Sequence, residues 1–424
     1  MTSTLPELPN WPETPVDKPA AIREAKAALR ARIEASGRSV DEVFQAARAR
    51  VLAKVDQIKA AKERGEQVWP EIEYADLAAG RVTDEQIARI KDRGCLIVRN
   101  QFDRERATGW DREIIDYVDR NDFFTNYRGP GDDFFATVGS KPEIYPIYWS
   151  VPQMEARQSD EMATVQAFLN RLWTYESEGQ QWFDPTRDSL YPDRIRRRPP
   201  GTNSGGLGHH LDTGTLDLWL TEDFQRAFRH VFDGTIEQYD PWDATHRTDG
   251  HNYQGSTMCS AFRTFQGWTA LSDMDHDQGV LHTVPIPEAL SYLLLRALLD
   301  DVPDDDLCGV DVARTFPVNE KWHAELLDAV AGIPDVKSGD TVWWHCDMVH
   351  SVAPVTDQKG WGNVMYIPAA PWCPRNERYA EQVRTAFETG KSPSDFPEED
   401  YEVSWDRFCA DQLNRTGRRG LGME

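Results

Sequence analysis

Apolar residues recur at helical spacing near the start of the chain: Ile22, Ala25, Leu29 and Ile33, then Val43, Ala46, Val51 and Val55. Positions three or four apart share one helix face. The pattern therefore predicts two helices between residues 19 and 64, parted by Ser36-Gly37-Arg38-Ser39, with Ser39 and Glu42 spaced as a capping box. The proline-rich stretch up to about residue 18 is expected to wrap loosely over the surface. Thr83 and Gln86 mark the start of a third helix that Gly94 ends, and Cys95-Leu96-Ile97-Val98 then reads as a short buried strand. Another helix is expected over 104–120. The span 121–152, rich in Gly, Pro, Phe and Tyr, reads as loops and short strands near a substrate pocket, and 154–173 reads as helix.

Beyond Pro199-Pro200-Gly201 the period shortens to two. A strand is expected through His210, with Leu216, Leu218 and Leu220 continuing the alternation. Residues 223–255 read as an insertion, part helix and part loop. Strands follow at 260–273 and 280–285, around the polar turn Asp275-His276-Asp277-Gln278-Gly279, and a helix at 287–299. Gly339-Asp340 turns into a strand leading to His350, and 363–367 is the last strand. From 377 the pattern is helical and polar, with a frayed tail over 415–424. This order predicts a mainly β core with helices: a helical extension over 1–82, a core domain over 83–376 with a helical insertion near 222–255, and a helical tail over 377–424. No internal repeat is visible.

Composition narrows the class. The 424 residues include 15 Trp, 13 Tyr and 17 Phe, ample for a large core. With 71 acidic residues against 47 basic ones the formal net charge is -24, which argues against nucleic-acid or anionic-membrane binding. Arg194, Arg196, Arg197 and Arg198 form the one dense basic cluster, read as a solvated or substrate-facing loop. No apolar run is long enough to span a bilayer, and the first residues lack a secretion signal. The six cysteines are scattered without a C-x-x-C pair, so they read as reduced thiols and the expected location is cytoplasmic.

The candidate chemistry lies in Gly205-Gly206-Leu207-Gly208-His209-His210-Leu211-Asp212. Side chains alternate along a strand, so His210 and Asp212 share a face and His209 and Leu211 take the other. An imidazole and a carboxylate together are two thirds of the 2-His-1-carboxylate triad that holds Fe(II) and leaves positions open for oxygen and a co-substrate. His350 is the expected third ligand. His345, five positions earlier, would face the opposite way in an unbroken strand and is assigned to the core or to a supporting role. The Asp273, Asp275, His276, Asp277 group reads as a solvated turn.

Phe265-Gln266-Gly267-Trp268-Thr269-Ala270-Leu271-Ser272-Asp273, followed by Gly279-Val280-Leu281-His282-Thr283-Val284-Pro285, resembles the phytanoyl-CoA hydroxylase-like branch of 2-oxoglutarate/Fe(II) oxygenases. Gly339-Asp340 leading to His350 is similar to its strand carrying the distal ligand. Across its whole length the chain resembles the YbiU-like family of oxygenase-type proteins, for which residues 363–373 look like a signature. The resemblance implies a double-stranded β-helix (a cupin-like jelly roll) wrapped by N- and C-terminal helices. It further implies Fe(II) on His210, Asp212 and His350, 2-oxoglutarate as co-substrate, O2, and hydroxylation of a small-molecule substrate with release of succinate and CO2. The family anchors the far carboxylate of 2-oxoglutarate on a basic residue in the strand after the distal histidine. Here Asn363 opens that strand. Arg263, Lys359 or Arg375 could supply the cation, and Arg263 is favoured because its strand should run beside the iron strands. The alternative is a metal-binding jelly roll without 2-oxoglutarate, either a cupin-type enzyme or a sensor. Tyr145, Tyr148, Trp149, Trp343 and Trp344 suit a flat or sugar-like ligand and equally a core.

Overall fold

A computed structural model of the chain describes residues 13–129, 142–250, 259–312 and 314–424. The expected loose segment up to residue 12, and the parts of the expected pocket loops and insertion within 130–141 and 251–258, lie outside these.

The helical periodicity at the start produces α1 (Lys18–Glu34) and α2 (Val40–Glu63). Ser39 accepts from the Glu42 N–H while the Glu42 carboxylate accepts from the Ser39 N–H, so the capping box forms. Thr83 and Gln86 do the same for α3 (Asp84–Arg93), and Gly94 ends it at φ 64°, a left-handed position that favours glycine. The strand that follows Glu71–Glu73 in space comes next in sequence after α3; the two are β1 (Glu71–Glu73) and β2 (Cys95–Arg99).

The remaining strands of the two main sheets are β3 (Ile144–Tyr145), β4 (Ile195–Arg196), β5 (Leu207–Leu211), β6 (Phe265–Ala270), β7 (Leu281–Thr283), β8 (Phe316–Pro317), β9 (Ala331–Gly332), β10 (Thr341–His345), β11 (His350–Val352) and β12 (Val364–Tyr366). The larger sheet has seven strands in the order β1-β2-β10-β6-β12-β4-β3, and the smaller has five in the order β8-β5-β11-β7-β9. All pairings but β1 with β2 are antiparallel. The architecture is a mixed helix-and-sheet fold with two separate sheets that do not close into a barrel, where a mainly β core was expected.

The back of the smaller sheet is covered by helices. Leu211, Phe316 and Val349 share one apolar cluster with Leu29 and Ile33 of α1, Val51 and Val55 of α2, and the leucines of the helix Ala289–Arg296. Three other expectations change. The Leu216, Leu218, Leu220 alternation is not a strand: Asp217–Leu220 is helical, the chain having turned at Gly214 (φ 52°). The helix expected over 154–173 is two, Val151–Arg157 and Asp160–Asn170, because Ser159 caps the second and interrupts the first. The tail expected to fray is the helix Arg415–Gly420, anchored by a fully buried Leu421.

Candidate functional site

Residues of both sheets face a common cavity of about 140 Å³. From the smaller sheet come Leu207, His210, Leu281, His350 and Val352, and from the larger one Arg196, Gln266, Trp268, Trp344 and Tyr366. β5 ends at Leu211, so Asp212 stands just past the strand, yet the alternation persists: His210 and Asp212 line the cavity while Leu211 is wholly buried behind it. β11 lies beside β5 with His350 directly opposite His210. Nε2 of His210 is 3.4 Å from one Asp212 oxygen, and Nε2 of His350 is 3.7 Å from the other. One ligand atom from each residue lies within 4.8 Å of the others.

The hydrogen bonds fix the tautomers. Nδ1 of His210 meets the Gly208 carbonyl at 2.6 Å and Nδ1 of His350 meets the Met348 carbonyl at 3.0 Å. A carbonyl only accepts, so each Nδ1 carries a proton and donates, which turns each Nε2 toward Asp212. Metal-binding histidines are oriented in this way by their outer nitrogen. Burial lowers His210, but its hydrogen bond to Asp212 and the charge of that carboxylate outweigh burial and raise it above its ordinary value. Burial, and then the neighbouring His210, push His350 down to about 4, so it is neutral at ordinary pH. Burial opposes ionisation of Asp212, but His350, His210 and Arg263 outweigh it and hold its carboxyl well below the usual range. Two imidazoles, which give up any Nε2 proton on binding a metal, and a carboxylate suit Fe(II) or a similar divalent ion, and the residues present fit that group.

A second cluster, His345, Cys346 and Asp347, is as tight. It is already satisfied: Nε2 of His345 donates to the Pro241 carbonyl (3.1 Å), Nδ1 accepts the Asp347 N–H (3.1 Å), and Asp347 pairs with Arg247 at 2.7 Å. His345 stacks on Trp173 as a core residue. His209 does not line the cavity. The Asp273–Asp277 turn is tied up in exposed ion pairs, His276 with Asp335 and Asp273 with Arg104.

Of the cations expected to hold a co-substrate, Arg263 lines the cavity, with Nη2 3.9 Å from Asp212. Arg375 lines a smaller chamber that shares Asp212, Cys259 and Arg263 with the cavity, and its guanidinium donates to the Ser260 and Gly250 carbonyls. Lys359 is exposed and is not among the cavity-lining residues. Asn363 is buried outside the cavity, donating to Asp111. The basic cluster is not a solvated loop. Arg194, Arg196, Arg197 and Arg198 are all buried, Arg197 pairing with Asp111 and Arg198 with Glu143. Arg194 and Arg196 line the cavity, as the substrate-facing alternative for the cluster expects, with Arg196 on the two-residue strand β4. Of the expected ligand-facing aromatics, only Trp344 lines the cavity; Tyr145, Tyr148, Trp149 and Trp343 are core, while Trp268, Tyr191 and Tyr366 take their place.

The sequence profile of the Gig2-like family matches residues 16–423. The uncharacterized protein YbiU of Escherichia coli K12 is 56% identical over 414 residues, covering 97% of each chain. A Salmonella typhimurium LT2 crystal structure, described as that of a candidate oxidoreductase, is 55% identical with a TM-score of 0.92, covering 97% of this chain and 98% of that one. The crystal structure of Candida albicans GlcNAc Inducible Gene 2, at 23% identity, has a TM-score of 0.75 over 98% of this chain and 91% of its own. The last likeness establishes fold alone. Among the described residues no helix is long and apolar enough to cross a membrane.

Proposed function

This chain belongs to the Gig2-like family, and from its site we propose that it is a non-haem Fe(II)- and 2-oxoglutarate-dependent oxygenase that hydroxylates a small molecule. The observation that carries the reading is the convergence of His210, Asp212 and His350 on one point, with both imidazoles oriented by backbone carbonyls. The two facing sheets are, in this reading, the halves of a double-stranded β-helix, and the W-x-A-L strand β6 forms the cavity wall opposite the ligands.

Bound on that triad, Fe(II) supplies with 2-oxoglutarate and O2 the oxidising power for C–H hydroxylation, 2-oxoglutarate leaving as succinate and CO2. The chain's own residues do the rest. His210, Asp212 and His350 would hold the metal from the side of the smaller sheet and leave its cavity side to co-substrate and oxygen. Asp212, held ionised by its surroundings, would balance part of the metal charge. Trp268, Val280, Leu281 and Trp344 give the cavity an apolar lining that limits water and strengthens the charge interactions of the arginines.

The test is succinate release from 2-oxoglutarate on anaerobically iron-loaded protein after admitting O2. Release that requires both iron and O2, and is absent in Asp212→Ala, is expected. Tight Fe(II) binding without any uptake of 2-oxoglutarate would favour a metal-dependent enzyme of another kind.

A further inference from the structure

A second chamber, of about 100 Å³ against about 140 Å³ for the cavity, lies on the other side of Tyr191 and Pro368, which line both. It forms where the tail helix Arg415–Gly420 docks against the strand Asp184–Asp188 and the helix Asp160–Asn170. Close backbone contact fixes that docking. The Leu190 N–H donates to the Gly420 carbonyl at 2.9 Å, and a Cβ at Gly420 would lie 3.1 Å from Leu190 Cβ. A single water needs only about 10–15 Å³ of such space, so the chamber has room for a small molecule.

Three elements each bring one guanidinium to it: Arg157 from the helix Val151–Arg157, Arg187 from the strand and Arg419 from the tail helix. None of the three pairs with a side-chain carboxylate among the described residues. Arg157, 5% exposed, donates to the Tyr148 and Asp193 carbonyls, and its buried Nε has no partner. Arg187 stacks on Trp372, 3.5 Å from the ring centroid, and its Nη2 donates to the main-chain oxygens of Arg419 and Glu424. Its buried Nε is likewise unmet. The half-buried Arg419 side chain makes no hydrogen bond or ion pair with any described residue. Asp188 is the one carboxylate in the wall, and it turns instead to Asn170 Nδ2 at 2.7 Å and the Ala370 N–H at 2.5 Å. Burial pushes it up to about 7, so near neutral pH it is only partly ionised. Burial, and then the charge of Arg419, lower Arg187. Three cations enclosed with so little counter-charge are costly, and an oxyanion that meets their free donors offsets the cost.

We propose that this chamber is a second binding site, which takes a small molecule through a phosphate or carboxylate group held by Arg419 and Arg187, with the Thr416 hydroxyl in the same wall as a further donor. Phosphate and carboxylate share the oxygen spacing that a guanidinium fork matches in bidentate fashion. His210, Asp212 and His350 do not line the chamber. Its occupancy is therefore independent of a metal and of the function proposed above. Tyr191 and Pro368 form the partition, so the bound molecule is a neighbour of the cavity without entering it.

Calorimetry on the metal-free full chain tests the site, with inorganic phosphate and succinate as probes and glycerol as the neutral control. At least one of the two anions should bind, and the better binder identifies the group. Arg419→Gln should weaken that binding by at least about tenfold, as loss of charge-assisted hydrogen bonds implies, and Arg419→Lys should weaken it less. Because the Arg419 side chain holds nothing else in place, both variants should melt at the wild-type temperature. Arg263→Gln, in the cavity beyond the partition, should leave the affinity within about threefold. Binding of neither anion, or binding that Arg419→Gln leaves unchanged, would overturn the proposal. A loss in Arg263→Gln as large as that in Arg419→Gln would place the anion in the cavity and overturn it equally.

Discussion

Arg247→Met should be among the most damaging single changes outside the His210, Asp212 and His350 cluster. Arg247 is 4% exposed and its partner Asp347 fully buried, with Nη1 and Oδ2 2.7 Å apart. At an effective dielectric constant of 20 their gross attraction is about 6 kcal/mol, from which desolvation of both ions must be subtracted. What remains to Asp347 after the change is the weak thiol donor of Cys346 at 3.6 Å. Leaving one partner of such a pair buried alone costs about 3–5 kcal/mol. The double variant Arg247→Met/Asp347→Leu, which removes both charges, should recover most of that. Urea denaturation reads the effect as a lower midpoint at unchanged slope. The damage should extend to the site, because Thr213, next to Asp212, donates to the Cys346 carbonyl at 2.7 Å. A loss below about 1 kcal/mol in Arg247→Met, or a double variant no better than the single, would refute the reasoning.

His350→Ala should lower Fe(II) affinity by more than about 100-fold, beyond what loss of a residue that only orients a ligand costs, with the fold intact by circular dichroism; unchanged affinity would move the third ligand elsewhere. Asp212→Glu should stop hydroxylation nearly as completely as Asp212→Ala, since ligand distances tolerate only about 0.2 Å, and succinate release measures it. Leu211→Val, behind the ligands in the core, should cost about 1 kcal/mol of stability with turnover unaffected; the reverse pattern would mean that the alternation is wrong. Burial pushes His345 down to about 4 from 6.5, so the unfolded chain binds its proton first. Its contribution is fully present above pH 6.5 and is lost as pH falls toward 4, up to about 3 kcal/mol; His345→Phe, though weaker at neutral pH, should flatten that part of the stability profile.

That His210 and Asp212 come together was legible because the signal is local geometry. Period two on a strand decides that His210 and Asp212 agree and Leu211 differs, even though the strand stops one residue before Asp212. That His350 rather than His345 lies beside this pair agrees with its distance from Gly339-Asp340, and both nitrogens of His345 are engaged elsewhere. The capping boxes at Ser39 and Thr83 were readable for the same local cause. The basic cluster could be read as either solvated or substrate-facing because four neighbouring arginines look hydrophilic by composition, whereas the burial of Arg197 and Arg198 depends on Asp111 and Glu143, each more than 50 positions away. The helix at Asp217–Leu220 was misread because alternating leucines fit either a strand or one turn of helix, and the left-handed Gly214 decides between them.

The helices behind the ligand sheet bear on when the site can come into being. His210 and His350 are separated by 140 positions, yet the cluster behind Leu211 and Val349 is completed by α1 and α2, which precede every strand of both sheets in the chain. Lys54 of α2 reaches Glu288 at 2.7 Å, and Arg48 pairs with Glu325. Such contacts close very long loops, and loop-closure entropy makes them slow to form. During synthesis, α1 and α2 must therefore wait for residues past 350 before their apolar faces are covered. The cluster of His210, Asp212 and His350 is assembled only at the end of that wait, so any ligand that needs all three side chains finds its place late, once most of the chain has finished folding.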